Sequence, residues 1–212
     1  MRFYGMELGR RVTLMETAPG ELLVHSTAPF SPGLRSAIQR LGTVTGLVEA
    51  TTLHDTFSQE GRGAFPGVPY FVPHRFPKAA RGPEVRSLDT LSDFTGGIVR
   101  AQKLEGMRWI EEYACLHAPS RTLVVGDLLF HLPRACGWTR WSLRHLAGIR
   151  DWPAIDRPFR LAIRNRAAFE ASLEAILKWD FDRLIVAHGE IMETGAKQHL
   201  REAAQRAGLF KT

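Results

Sequence analysis

The sequence predicts a single α/β domain, and three observations carry that prediction. Short apolar runs of strand length alternate with segments of helical period along most of the chain. The 212 residues suffice for one substantial core, and neither an internal repeat nor a linker of domain-separating composition interrupts them. Several polar residues stand directly after apolar runs, the place where ligands gather in open α/β sheets.

In chain order, Val12–Thr17 and Leu22–Ser26 read as strands around an Ala18-Pro19-Gly20-Glu21 turn. Ser31 caps a helix that Pro32 opens and Gly42 ends, with Leu34, Ile38 and Leu41 at helical spacing. Val44–Ala50 is too short for a helix and reads as a strand, followed by the polar run Thr51-Thr52-Leu53-His54-Asp55. A short helix over Phe57–Phe65 and a strand over Val68–Val72 come next. Residues 73–107, rich in Gly, Pro and Arg, are expected to hold short strands and a long loop. Ile110–Leu116 and Thr122–Gly126 form a hairpin across residues 117–121; Asp127 follows, and Leu128–Leu132 continues apolar. Ile163–Trp179 is helical, with Ala167, Phe169, Leu173, Ile176 and Leu177 on one face. Leu184–Ala187 is a buried-type strand ending at His188, and Gly195–Ala207 is a last amphipathic helix stopped by Gly208.

An apolar fraction of 44% and a charged fraction of 24% exclude a disordered or fibrous chain. No apolar run approaches the ~18–20 residues that span a bilayer, and the N-terminal residues lack a signal-peptide stretch. Cys115 and Cys136 provide no disulfide framework, so the expected location is a reducing cytoplasm. Cys115, within an apolar strand, is expected to be a buried small side chain. The formal charge is +6, and all of it belongs to one stretch: residues 134–166 hold eight arginines and only Asp151 and Asp156 as acids. Trp138, Trp141, Trp152 and Phe159 lie among them, and core or loop packing is the expected role of these tryptophans. A localised basic segment points to a small anion more than to nucleic acid, for which no recognised motif accompanies the charge. Arg160, Arg164 and Arg166 either line a pocket for a phosphate or carboxylate or are paired scaffold residues.

Three positions at strand ends carry chemistry: His54-Asp55, Asp127 and His188. Two imidazoles and two carboxylates are the ligand types that hold zinc or another first-row divalent ion. Each also has an ordinary explanation. His188 can be a turn residue bonded to a carbonyl, Asp127 a cap, and Asp55 the start of the following helix.

The order of elements, together with Arg121–Phe130 running into Gly126-Asp127 and Leu184–Gly189 ending in His188-Gly189, resembles the metallo-β-lactamase fold. It resembles in particular a branch known as a domain of unknown function. There a Pro-Ser-Arg-Thr-Leu run precedes the aspartate and a Trp-Asp-Phe-Asp run precedes the histidine strand; here these are Pro119–Leu123 and Trp179–Asp182. The resemblance implies a four-layer αβ/βα sandwich that binds one or two metal ions. Where the superfamily carries His-x-His-x-Asp-His, this chain reads Thr51–Asp55, and Gly106-Met107 stands where a Gly-His is usual. Asp127 and His188 keep their places, with His54 and Asp55 as replacement ligands. The resemblance thus implies one divalent ion (zinc, manganese or iron) on His54, Asp55, Asp127 and His188 and metal-assisted hydrolysis, and the basic segment adds the expectation of a small anionic substrate. The alternative is a metal-free relative that binds an anionic ligand or a protein partner.

Overall fold

The computed structural model describes residues 2–3, 6–77 and 82–210. A small ribbon of β1 (Arg2–Phe3) and β2 (Met6–Glu7) precedes two mixed sheets. The first sheet is built from β3 (Thr13–Ala18), β4 (Glu21–His25), β5 (Thr43–Val48), β6 (Tyr70–Val72) and β7 (Val85–Ser87), in that spatial order. Only its β3–β4 pair is antiparallel. The crossovers between its parallel strands carry α1 (Pro32–Leu41) and α2 (Ser58–Ala64). A short α3 (Leu91–Phe94) leads to the second sheet: β8 (Val99–Lys103), β9 (Tyr113–His117), β10 (Thr122–His131) and β11 (Arg183–Gly189), in the order β11-β10-β9-β8. Between β10 and β11 lie α4 (Gly137–His145), α5 (Arg157–Ala162) and α6 (Arg166–Leu177), and α7 (Ala196–Arg206) follows β11.

Strand alternation sorts the side chains into three apolar layers. Leu23, Val48 and Phe71 of the first sheet meet Tyr113, Cys115 and Val124 of the second in a layer between the sheets. Their neighbours Leu22, Val24, Leu47, Tyr70 and Val72 face the other way, against Ile38 of α1 and Phe65 beside α2. Ala114, Leu116, Leu123, Val125, Leu184 and Val186 pack outward onto Phe159, Phe169, Leu173 and Leu200 of α5, α6 and α7. The result is helix, sheet, sheet, helix: the αβ/βα sandwich. Burying one leucine contributes ~1.5–3 kcal/mol, so truncating Leu23 or Leu173, both fully buried, is expected to cost about 2–5 kcal/mol.

Several expectations need correction. Asp127 does not end a strand. β10 runs through it without a break, and the pairing with β11 instead shifts register between Val125 and Phe130. Of the three apolar residues on α1, only Ile38 is buried, while Leu34 and Leu41 face solvent. The long helix starts at Arg166, because Asn165 Oδ1 accepts the Ala168 amide and Ile163 is held in a bridge to Met107. In the basic segment α4 was not expected; its Trp138 and Trp141 are about half exposed and stack on each other at 4.9 Å. Among the described residues, no helix is long and apolar enough to cross a membrane.

Candidate metal centre

At one rim of the sandwich, main-chain bonds tie the two sheets together. Tyr113 N donates to Ala50 O (2.7 Å), Thr52 N donates to Glu111 O (3.0 Å), and Thr51 bridges Glu112. The turn that follows β5 therefore starts from a fixed point. Arg10 Nη2 then donates to the carbonyl of His54 (3.0 Å), while the ring of His54 is buried. Arg10 is itself held by Glu49 (3.0 Å), whose Oε1 also accepts from the amide and the hydroxyl of Thr27. Burial pushes the Glu49 carboxyl above its ordinary pKa, and the opposing charge of Arg10 draws it back.

Asp127 is held by a different device. Glu112, fully buried, accepts the amides on either side of it with one oxygen: Gly126 N at 2.9 Å and Leu128 N at 3.3 Å. A side chain at position 126 would come within 2.9 Å of that carboxyl and displace it from the two amides, which favours glycine there. Burial, reinforced by the charge of Asp127, pushes Glu112 up to about 8, so it sits beside Asp127 as a neutral acid at pH 7.

His188, near the end of β11, is fixed by the segment that precedes β3. Its Nδ1 donates to Gly9 O (2.9 Å), since a carbonyl only accepts, and this leaves the Nε2 lone pair turned to the centre. Arg11 N donates to Ala187 O (3.1 Å) and Arg11 Nη2 to Gly189 O (2.7 Å). Phe130 stacks on the His188 ring. At Gly189, φ is +115° and an added Cβ would overlap the carbonyl of His131, so only glycine allows the chain to pass.

These three devices bring His54, Asp127 and His188 together, one ligand atom from each lying within 4.8 Å of the others. His54 Nε2 is 3.4 Å from Asp127 Oδ2, and His188 Nε2 is 3.2 Å from Asp127 Oδ1. Burial alone would lower the pKa of His54 and raise that of Asp127. Their mutual attraction prevails in both, raising His54 and holding Asp127 well below the carboxylate range. The donor set fits a cation. Ligand atoms ~2.0–2.1 Å from a tetrahedral zinc are about 3.3 Å apart; each histidine lies at about that distance from a different oxygen of Asp127, and one atom from each residue lies within 4.8 Å of the others. His54 Nε2 and Asp127 Oδ2 are buried and face each other as an ion pair with no well-formed hydrogen bond to either atom. On a tetrahedral ion, three protein ligands would leave one position open.

Asp55 does not join the group. It is exposed in the turn, where its carbonyl accepts the Ser58 amide. Met107 packs in the outer core, and His117 lies at the hairpin end, bonded to Glu16 O and Ser120. His25 is a buried imidazole outside the group, pushed down to about 3 by burial and then by the charges of His54 and Arg10. Cys115 is buried as expected, and burial pushes its thiol up to about 12.

The centre opens into a cavity of about 440 Å³ whose walls are mostly apolar, among them Leu53, Ile110, Phe130, Leu143 and Phe159. The basic segment borders it through Ser142, Leu143, Leu146, Ala147, Asp156, Pro158 and Phe159, and none of its arginines lines it. Of the three arginines read as either anion-binding or scaffold residues, none lies in this cavity. Arg166 pairs with Glu170 at 2.6 Å, Arg164 is exposed, and Arg160 lines a different cavity. Sequence reasoning missed Arg10, Glu112, Ser142, Asp156 and the Gly9 carbonyl. Glu112, an acid amid the apolar residues leading into β9, was the one readable signal among them.

No protein-family model matches the chain, and no curated protein does. Solved structures do. The DIM-1 metallo-β-lactamase exposed to ceftazidime superposes with a TM-score of 0.63 at 13% identity, covering 98% of this chain and 90% of that one. A metallo-β-lactamase from Pontibacter korlensis gives 0.59 at 12% identity, covering 97% and 91%. The FIM-1 metallo-β-lactamase from Pseudomonas aeruginosa, in its mono-zinc form, gives 0.58 at 11% identity, covering 93% and 84%. With two mixed sheets face to face between helical layers, this chain has the metallo-β-lactamase fold.

Proposed function

We propose that this protein is a metal-dependent hydrolase that holds one divalent cation on His54, Asp127 and His188 and acts on a small, largely apolar substrate. The observation that carries the reading is the position of these three ligand atoms, within 4.8 Å of one another at the base of an apolar cavity. Zinc, manganese or iron suits two imidazoles and a carboxylate. When bound there, the ion would supply Lewis-acid polarisation and a nucleophile at neutral pH. The protein's own residues do the rest. Apolar walls exclude water and strengthen every charge interaction inside. Ser142 Oγ, a buried hydroxyl without a partner, is free to bind a polar atom of the substrate. Asp156 lines the same cavity. Burial pushes its carboxyl up to about 6, against the Phe159 amide and with help from the charge of Asp127. A carboxyl poised near neutrality suits proton transfer.

The small anionic substrate expected from the arginines loses its support, because among the described residues no lysine or arginine lines the cavity. The test is hydrolysis of p-nitrophenyl esters by zinc-loaded protein. Butyrate is expected to turn over and a succinate half-ester to be much slower, with His188→Ala and chelation abolishing both. Equal rates for the two esters would sink the apolar assignment, and chelator-insensitive rates the metal one.

A second reading has its own observation. His54 and Asp127 shift each other's pKa in opposite directions, so the cluster is electrostatically satisfied as an ion pair. A metal-free relative built on that pair would bind a ligand in the cavity without hydrolysing it.

A further inference from the structure

Two arginines of the basic segment, Arg150 and Arg160, meet Arg206 at a second cavity, of about 310 Å³. Three guanidinium groups line it: Arg150, Arg160 at the middle of α5, and Arg206 at the end of α7. Small side chains on its walls, Ala203 and Ala207 of the α7 end among them, leave the space open. Asp151 is the single acid in the lining, so the cavity carries a surplus of two positive charges.

Most of the donors are unspent. A guanidinium has five N–H donors. Arg160 uses one in a long 3.4 Å bond to Ala207 O, and its buried Nε has no partner. Arg206 gives one to Pro153 O at 2.7 Å and lies 3.9 Å from Glu202. Among the described residues, Arg150 makes no ion pair or side-chain hydrogen bond. The bond to Ala207 O also answers the negative end of α7, which would otherwise repel an anion.

We propose that this cavity binds a phosphate dianion, free or as a small phosphate monoester, at a site separate from the metal centre. The charge surplus matches two negative charges, and planar guanidinium forks fit tetrahedral oxyanions through paired N–H bonds. One strip of chain borders both cavities. Ala147, Asp156, Pro158 and Phe159 border the metal centre, while Gly148, Arg150, Ala154 and Arg160 border the basic cavity.

Isothermal titration of the whole protein with inorganic phosphate at low ionic strength tests this. Saturable one-to-one binding is expected, and Arg150→Gln, at an exposed position that leaves the fold intact, should weaken it about tenfold, as the loss of a charge-assisted contact implies. Arg206→Gln should weaken it similarly, whereas Asp127→Asn should leave it unchanged. Absence of saturable binding overturns the proposal. So does phosphate affinity that survives both arginine substitutions, or that falls with Asp127→Asn or chelation, since the anion would then sit on the metal.

Discussion

The two cavities share a wall yet present opposite chemistry. One is apolar, with two imidazoles, a carboxylate between them and a single raised acid; the other is lined by three arginines and small side chains. The difference is drawn within one strip, residues 147–160: Ala147, Asp156, Pro158 and Phe159 line the apolar cavity, and Gly148 to Asp151, Ala154, Ile155 and Arg160 line the basic one. Net charge along a sequence therefore does not say which cavity its arginines reach; the fold decides that. Here it separates the cationic surface from the site whose chemistry the charge first seemed to serve.

The largest expected effect breaks one side of this comparison and leaves the other untouched. Asp127→Asn removes the central ligand, and zinc affinity should fall by at least about a hundredfold, beyond the 10–100-fold typical of losing a supporting group. Competition against a chromogenic chelator measures it. Phosphate binding at the arginine cavity should not move.

Next comes the support beneath Asp127. Glu112→Ala leaves the Gly126 and Leu128 amides without an acceptor in a buried site, with an expected stability loss of roughly 1–3 kcal/mol by urea unfolding and weaker zinc binding. Glu112→Gln keeps an acceptor oxygen and should restore most of both. An alanine variant as stable as the parent would show that the two bonds do not hold the strand irregularity in place.

The pH dependence sharpens the contrast further. A metal takes neutral imidazole, so binding must displace the proton that the Asp127 charge keeps on His54. Below the raised pKa of His54, zinc affinity should fall about tenfold per pH unit, one proton being released per ion. Without metal, Glu112 acts on stability in the opposite sense. Its pKa is about 8 when folded against 4.5 ordinarily, so the folded state holds a proton that the unfolded state lacks across that window. Its contribution is complete below pH 4.5 and declines as pH rises toward 8. A metal-free protein whose Glu112-dependent stability increased over that range would contradict the assignment. The smallest effect belongs to Arg166→Ala, an exposed pair with Glu170, at under about 1 kcal/mol.

How much was readable depended on how local each signal was. Strand alternation and the Ser31 cap are encoded within a few residues, and the layers followed from them, whereas the Asn165 cap that starts the long helix was not read. His54, Asp127 and His188 were readable as polar residues beside apolar runs. Asp55 was misread because adjacency along a turn says nothing about direction. Arg10 and Gly9 were unreadable. Gly9 reaches a histidine 179 positions away, and Arg10 a carbonyl 44 positions away, so only the folded chain reveals their roles. The arginine cavity is intermediate: its charge was visible, but Arg206, far outside the basic stretch, completes it only through the packing of α7.

Metal content tests the central claim most directly. Protein purified without chelator, offered zinc, manganese or iron and then desalted, should retain about one equivalent of a single ion, and His188→Ala should retain none. Less than about a tenth of an equivalent in the parent protein, or an unchanged equivalent in the variant, would contradict a metal centre built on His54, Asp127 and His188.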